Sequence, residues 1–230
     1  NPIIFIDPSG MDWYRDKDGN TVWRTGDAAK ITIDDVEYTN IGTSYTHDLG
    51  GGVSITFNQQ SVVSMTFTGI TADNWESQIS NQTNCYEASS KMLNNENVET
   101  AGRGTEVLVT NSAENGRAGT ASSNAQKGFN IIDNALENGN PIIVGVDYKD
   151  GSPNRDGMTD HFIVVSSKTE ILNNGYVTSK TYNFFDPGTS FQSRGVSTTN
   201  QLIISGNKMT GTYVDKPNEP YTVVTVRRNQ

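Results

Sequence analysis

The chain has 230 residues and a formal net charge of −9, from 17 Lys and Arg against 26 Asp and Glu. This acidic balance argues against a nucleic-acid partner, because phosphate binding needs a basic face. The single cysteine excludes an internal disulfide and any metal site built from several cysteines. No apolar run approaches the roughly 20 residues of a membrane helix, so we expect no membrane span.

The first third of the chain has the pattern of β-strands. Apolar and polar residues alternate along residues 53–57 and 63–67, on either side of Asn58–Ser61, and this arrangement predicts a hairpin. We therefore expect residues 11–70 to form a β-rich N-terminal subdomain, packed on a domain of residues 71–230.

Helical periodicity begins at Cys85, because apolar residues from Cys85 to Met92 share one face. Asn84 and Glu87 have the spacing of an N-cap and its third helical residue, which favours a helix start at this point. The next periodic segment predicts a second helix over about Asn124–Asn138.

Strands and turns alternate in the rest of the chain. Residues 100–123 are rich in Gly, Ser, Thr and Asn and are predicted to be loop. Strands are predicted over Pro141–Tyr148, His161–Ser167 and Lys180–Asp186, with further β segments after residue 200.

Cys85 is the candidate nucleophile. Most free cysteines are small buried hydrophobic residues, but Cys85 falls in the first turn of a predicted helix, after the polar run Ser80–Asn84. The N-terminus of a helix favours negative charge, so it lowers the pKa of a thiol and increases the fraction of thiolate. This position favours a reactive thiol over a core side chain.

His161 is the candidate base, and it is one of two histidines in the chain. It opens a predicted strand whose continuation, Phe162–Val165, is apolar, so its side chain is placed at a strand mouth beside a polar loop. A histidine satisfied at a sheet edge is the alternative interpretation. His47 lies in a predicted loop, and we do not expect it to take part.

Asp186 is the candidate for the group that orients the base. If a four-residue loop at Leu172–Gly175 joins the two strands, the register sets His161 opposite Asp186, whereas a three-residue loop turns Asp186 to the other face. Asn183 is the alternative orienter. Its amide could also fix the imidazole tautomer, although it would stabilise an imidazolium less than a carboxylate does.

Gln78 and Gln82 are the candidates for a second oxyanion donor beside the backbone N–H of Cys85. Both lie upstream of the cysteine, and each is equally compatible with an ordinary loop glutamine. The sequence does not choose between them.

Four acidic residues cluster in and around one polar loop, at Asp147, Asp150, Asp156 and Asp160. Their spacing matches no known calcium-binding loop, so we interpret them as a solvated acidic loop. We expect no metal ion and no cofactor.

These segments, taken in order, resemble the papain-like cysteine peptidases. They are most similar to the bacterial branch that includes the bacteriocin-processing double-glycine peptidases. The resemblance covers about residues 72–190 and rests on the polar run before Cys85 and on the segments Pro141–Asp147, Asp160–Val165 and Phe185–Gly188.

The resemblance implies an α+β fold, in which the helix that carries the cysteine packs on an antiparallel sheet. It implies Cys85 as nucleophile, His161 as base and Asp186 as orienting acid, with a glutamine in the oxyanion hole. Two features depart from the family pattern. Tyr86 follows the cysteine where the family often has Gly, and no glutamine lies five or six residues before the cysteine.

Asn1–Gly10 resembles the closing motif of Rhs repeat-associated core domains. In that family the motif ends a large β-repeat shell, and a variable C-terminal toxin follows it. The resemblance implies that residues 1–10 are a remnant of the shell. It also implies that the chain is the toxin module of a larger secreted protein, delivered into competing bacterial cells, with an immunity protein as its cognate partner.

We therefore expect a thiol hydrolase, specifically a cysteine protease with a protein or peptide substrate, that acts as a monomeric Rhs-type antibacterial toxin. The same triad serves cleavage of peptidoglycan peptides and deamidation of glutamine, so the residues alone do not choose among these reactions. A further alternative is a binding module without catalysis, in which residues 11–70 form an adhesive β unit.

Overall fold

The computed structural model describes residues 11–26, 28–59, 62–102, 104–112, 118–148, 158–174 and 176–230. Strands take 51% of these residues. The N-terminal strands are β1 (Met11–Asp16), β2 (Thr21–Thr25), β3 (Lys30–Ile33), β4 (Val36–Gly42), β5 (Tyr45–Gly50), β6 (Val53–Gln59) and β7 (Val62–Thr68). The later strands are β8 (Val107–Leu108), β9 (Thr110–Ser112), β10 (Ala118–Ala121), β11 (Ile142–Asp147), β12 (His161–Asn173), β13 (Tyr176–Phe185), β14 (Gln201–Ser205), β15 (Lys208–Tyr213) and β16 (Lys216–Val226).

The helices of the described residues are α1 (Cys85–Asn95), α2 (Ala125–Glu137), α3 (Gln192–Gly195) and a 3₁₀ turn at Ala72–Asn74. The predicted starts of the two longer helices are confirmed. At the start of α1, Asn84 Oδ1 accepts a hydrogen bond from the backbone N–H of Glu87 at 2.9 Å, as expected of an N-cap. Among the described residues, no helix is long and apolar enough to cross a bilayer.

Six strands close into a barrel in the order β11-β16-β15-β14-β13-β12, because β11 pairs with both β16 and β12. The expected α+β papain-like fold, with a helix packed on an antiparallel sheet, is therefore wrong, and the protein is mostly β. The physical reason is that β14, β15 and β16 continue the sheet from β13 round to β11. Both edges of the sheet thereby find a partner.

β12 joins the barrel to the N-terminal strands. Its first half, His161–Val165, pairs with β11, and its second half, Ser167–Asn173, pairs with β7. β7, β6 and β5 continue the sheet outward from β12. β1 to β4 form a separate sheet in the order β2-β1-β4-β3. Trp13 of this sheet packs against the rings of Tyr45 and Phe57, with centroids 6.2 and 5.5 Å away.

The segment 100–123, predicted to be loop, contains three short strands. β8 pairs with β16, and β9 pairs with β10. The prediction is wrong for these strands, because strands of two to four residues are too short to show the alternation that marks longer ones.

Two apolar clusters lie on opposite faces of β11 and β12, because successive side chains of a strand point to opposite sides. Ile142 and Val144 contact the cluster that contains the buried face of α2. Ile143 and Phe162 contact the other cluster, which contains Met92 and the buried face of α1. This second cluster holds the start of α1 beside the start of β12.

Candidate active site

Cys85 is the first residue of α1, and it lies half-buried against the apolar cluster beneath that helix. Burial on its own raises the pKa of the thiol. A hydrogen bond and positive charge from His161, together with backbone hydrogen bonds from Phe162 and Tyr86, outweigh burial, so the pKa of Cys85 lies below its ordinary value. The free N–H groups of the helix start favour the thiolate in the same way.

Tyr86 anchors the first turn of α1 to the barrel. Its ring meets the ring of Phe162 edge-on, with centroids 5.2 Å apart, and the guanidinium of Arg227 lies 5.5 Å from its centroid. Its hydroxyl is 3.3 Å from Thr100 Oγ1. This packing gives a structural reason for a large side chain at the position where the resembled family often has Gly.

His161 is the first residue of β12, opposite Val146 of β11, and only 7% of it is exposed. Its Nε2–H donates to Asp186 Oδ1 at 2.9 Å, so Nδ1 is the ring nitrogen that remains for the thiol of Cys85. Burial alone lowers the pKa of His161. The charge and hydrogen bond of Asp186, with a smaller contribution from Cys85, outweigh burial and raise the pKa of His161 above its ordinary value.

Asp186 follows β13 directly and is fully buried. Besides His161, its Oδ1 accepts a hydrogen bond from the backbone N–H of Gly188 at 2.6 Å, and its Oδ2 accepts one from the hydroxyl of Tyr221 at 2.8 Å. Burial raises the pKa of this carboxyl, but the charge of His161 and these donors lower it below its ordinary value. Asp186 is therefore an ionised carboxylate held in one orientation.

Two glycines allow close packing around this pair. A Cβ at Gly188 would lie 2.8 Å from Asp186 Oδ1 and 3.3 Å from His161 Nε2. A Cβ at Gly195 would lie 2.4 Å from the ring of Trp75. Trp75 Nε1 in turn donates to the backbone carbonyl of Asp186 at 2.9 Å, so these side chains fix the backbone at the carboxylate.

The hairpin between β12 and β13 is tighter than the four-residue loop considered from the sequence. Asn173 pairs with Tyr176, and two bulges shift the register along the strands. Asp186 reaches His161 from just beyond the last paired residues of β13, so the contact does not depend on the two residues being directly opposite.

The side-chain amide of Asn183, the alternative orienter, is bonded to backbone carbonyls and not to His161. Its Nδ2 donates to the carbonyl oxygen of Thr198 at 2.9 Å and lies 3.4 Å from that of Asn200. The structure thus brings Asp186, and not Asn183, to the imidazole of His161.

Gln78 is tied to the loop that follows Asp186. Its backbone N–H donates to the carbonyl oxygen of Pro187 at 3.0 Å. Its side-chain Oε1 is buried and has no hydrogen-bond partner among the described residues. Gln82 is exposed, at a turn with a φ of 51°. Because its backbone is bonded to the segment that follows Asp186, Gln78 is the better placed of the two candidates for an oxyanion donor.

His47 lies on β5. The sequence had indicated a loop at this position, and that prediction is wrong. Its Nδ1 is 2.9 Å from the hydroxyl of Tyr45. β6 and β7 lie between β5 and β12 in the sheet, so His47 is separated from His161 by two strands.

The acidic loop is only partly described, because Asp150 and Asp156 lie outside the described residues, as does the motif Asn1–Gly10. Burial and the contact with Asp160 raise the pKa of Asp147 to about 7. Among the described residues, no three His, Cys, Asp or Glu side chains gather in a way that could hold a metal ion.

Sequence reasoning missed Tyr221 and Trp75, the two side chains that hold Asp186 from behind. They lie 35 and 111 residues away from it along the chain, and nothing in their local sequence marks them. Gly188 belongs to the segment Phe185–Gly188 that carries the papain-like resemblance, but nothing in the sequence indicated a separate role for it.

Comparisons of the chain with protein families, with characterised proteins and with solved structures give no match. The papain-like and Rhs resemblances therefore rest only on the motifs quoted above. Function is inferred from the geometry of the site.

Proposed function

We propose that the chain is a cysteine hydrolase that cleaves an amide or thioester bond. The observation that carries the proposal is the buried hydrogen bond between His161 and Asp186 beside Cys85, at a helix start that favours the thiolate and with the pKa of the thiol lowered by His161. A buried cysteine with a purely structural role does not need a buried ion pair beside its sulfur, because burying such charges is costly.

In the proposed reaction, the thiolate of Cys85 attacks the carbonyl carbon, and the electron pair of the carbonyl moves to its oxygen. When this intermediate collapses, the bond to the leaving nitrogen or sulfur breaks, and His161 Nδ1 gives that atom a proton. Water then attacks the thioester and gives a proton to His161. The carboxylic acid leaves, and the thiolate–imidazolium pair is restored.

The oxyanion of the intermediate needs donors that are in place before the reaction. The backbone N–H of Cys85 at the helix start is one candidate, and the side-chain amide of Gln78 is the other. Asp186 stabilises the imidazolium through both halves of the reaction, because its carboxylate cannot turn away from His161 without breaking the bonds to Gly188 and Tyr221.

A protein or peptide is the substrate class we favour, in a toxin delivered into a target bacterium and neutralised by an immunity protein. This part of the proposal rests on the resemblance of residues 1–10 and about 72–190. Peptidoglycan cleavage and glutamine deamidation use the same three groups. Expression in the cytoplasm and in the periplasm tests the cell-wall alternative: lysis only after export supports it, and killing from the cytoplasm counts against it.

The test of the hydrolase proposal is the rate of Cys85 alkylation by iodoacetamide as a function of pH. The chain has one cysteine, so the signal has one source. We expect a midpoint well below the reference value of about 8.5 in the wild type, and a midpoint near or above it in His161→Ala. His47→Ala is the matched control and should behave as the wild type.

An ordinary midpoint in the wild type, unchanged in His161→Ala, would overturn the hydrolase proposal. It would favour a binding module in which Cys85 is structural.

A further inference from the structure

Tyr221 is the third donor to the buried carboxylate of Asp186. Oδ1 is already engaged by His161 and Gly188, and the hydroxyl of Tyr221 donates to Oδ2 at 2.8 Å. Tyr221 lies on β16, the strand that closes the barrel between β11 and β15. The bond therefore spans from one barrel strand to the end of another, and it fixes the carboxylate oxygen that His161 does not bind.

The surroundings of Tyr221 make it a permanent donor. Its side chain is 1% exposed, and its ring packs against Tyr148, His161 and Tyr213 with centroids 5.1, 6.2 and 5.8 Å away. Burial, together with the negative charge of Asp186, raises the pKa of this phenol far above its ordinary value. The buried hydroxyl therefore keeps its hydrogen and donates a hydrogen bond to Asp186.

We propose that Tyr221 is a positioning residue of the proposed hydrolase. Its hydrogen bond to Asp186 keeps the proton of the His161–Asp186 hydrogen bond on His161. The inference rests on the proposed function and adds a fourth side chain to Cys85, His161 and Asp186. Tyr221 does not touch the reacting atoms. It acts through Asp186, by holding Oδ2 and by taking up part of the carboxylate's negative charge.

The physical reason is competition between donors for one carboxylate. A carboxylate that accepts fewer hydrogen bonds is more basic, so it becomes a stronger acceptor for the donors that remain. Without the hydroxyl of Tyr221, Asp186 would pull more strongly on the Nε2 proton of His161. The imidazolium would then be a weaker acid, less suited to protonate a leaving group at Nδ1.

The experiment compares Tyr221→Phe with Tyr182→Phe. Tyr182 is an equally buried tyrosine whose hydroxyl also donates to an aspartate, Asp133, at 2.8 Å, so its variant loses the same kind of bond at a distance from the site. The readout is the low-field proton NMR resonance of His161 Nε2–H. It is assigned by its loss in His161→Gln and its persistence in His47→Gln.

We expect the His161 resonance to move downfield in Tyr221→Phe, and the pH at which His161 titrates to rise, while Tyr182→Phe keeps both wild-type values. A merely structural role would cost both variants stability and move neither value. Equal values in the wild type and Tyr221→Phe, equal shifts in both variants, or a wild type without the resonance would each overturn the inference.

A second measurement keeps the test informative if Tyr221→Phe does not fold. In wild-type protein made with 3-fluorotyrosine, every hydroxyl is retained and each is a stronger donor. The His161 resonance should then move upfield, and an unchanged resonance would overturn the inference. Failure of the hydrolase proposal is separate, because it appears as an ordinary alkylation midpoint of Cys85 in the wild type.

Discussion

Two of the buried charged clusters in the described part of the chain are built from the same kinds of side chain. In one, the hydroxyl of Tyr182 donates to Asp133; in the other, the hydroxyl of Tyr221 donates to Asp186. Both bonds are 2.8 Å long, and both link a barrel tyrosine to an aspartate that also meets a cationic side chain. The two clusters differ in whether their charged side chains contact only one another or also contact a thiol.

The first group, which we call the Lys168 network, is closed. Lys168 is fully buried and lies 2.5 Å from Glu137, 3.1 Å from Glu170 and 3.6 Å from Asp133. Lys180 completes the network at 2.9 Å from Asp133 and 3.0 Å from Glu170. Each ammonium meets at least two carboxylates, so the network joins α2 to β12 and β13 and both ammonium groups are paired.

The second group has an open end. Asp186 keeps its negative charge and stabilises the proton on His161, and the second nitrogen of His161 remains for a half-buried thiol at the start of a helix. The comparison teaches that buried charge alone does not mark a reactive site. Under the proposed function, a reactive site is marked by a series that ends on a half-buried thiol. Substitutions in the two clusters are then expected to affect reactivity and stability differently.

The largest effect is expected from Cys85→Ala, which removes the open end. Hydrolysis and toxicity should fall to background, because the other groups cannot form the covalent intermediate. The free energy of unfolding should change by only about 1–2 kcal/mol, as for most single substitutions. Growth of expressing cells and denaturant unfolding measure the two effects, and full toxicity in a folded Cys85→Ala protein would contradict the hydrolase proposal.

Lys168→Met disrupts the Lys168 network, and here the larger effect is expected on stability and not on reactivity. Removal of one buried partner leaves uncompensated carboxylates, so we expect a loss of about 3–5 kcal/mol in the free energy of unfolding. The alkylation midpoint of Cys85 should stay at its wild-type value under conditions where the variant is folded. A shifted midpoint would show that the two charged groups are coupled. Lys208→Met, on β15 and outside the network, is the control for the loss of one lysine charge.

The pH dependence of stability isolates His161 in a Cys85→Ala background. The folded state holds a proton on His161 that the unfolded chain loses near its ordinary pKa of about 6.5. Stability therefore falls as pH rises above that value, until the raised pKa of His161 is passed, by at most about 1.4 kcal/mol per pH unit. The added substitution His161→Gln should remove this slope in urea unfolding between pH 7 and 9, and a persisting slope would contradict the assignment.

Asp186 changes the pH dependence of the free energy of unfolding in the opposite direction to His161. Its pKa is lowered in the folded state, so its contribution is complete above the ordinary value of about 3.9 and is lost as pH falls below it.

Gly188→Ala tests whether the position of the Asp186 carboxylate matters for Cys85. The added Cβ would lie 2.8 Å from Asp186 Oδ1, so the carboxylate has to move. We expect a loss of about 1–3 kcal/mol in stability, as for overpacking, and a partial rise of the Cys85 alkylation midpoint. Gly102→Ala is the matched control, because its Cβ would meet nothing within 4 Å. Equal midpoints in the two variants would argue against a role for the position of Asp186.

The smallest effect is expected from Asn183→Ala. Its amide bonds to the loop carbonyl of Thr198, so we expect a loss of about 1 kcal/mol in stability and no change in the alkylation profile. Asp186→Asn, measured beside it, should raise the midpoint. The reverse result would identify Asn183 as the orienter.

Local elements of this fold could be predicted from sequence because their signals are local. The N-cap of α1 and the apolar face of α2 gave helix starts that the structure confirms. Closure of the barrel could not be predicted, because it depends on β11 pairing at the same time with β12 and with β16, which lies far along the chain. Apolar alternation is satisfied equally well by an open sheet and by a closed one.

The candidate site follows the same division. Cys85, His161 and Asp186 each stand at the boundary of an element, and such boundaries can be located from periodicity. Their meeting place depends on the packing of α1 across β12 and on bulges that no sequence pattern specifies. Tyr221 and Trp75 had no local mark, because each is an aromatic residue in an ordinary strand or loop whose contact is made by the tertiary fold.

The place of β16 in the barrel has a consequence for the cell that makes this protein. A ribosome makes Cys85 early, His161 and Asp186 later, and β16 last of these elements. The nascent chain therefore carries an open barrel, in which the imidazole is not yet enclosed by Tyr221, until residue 226 has emerged. His161 and Asp186 thus acquire their full set of neighbours only after β16 has been made.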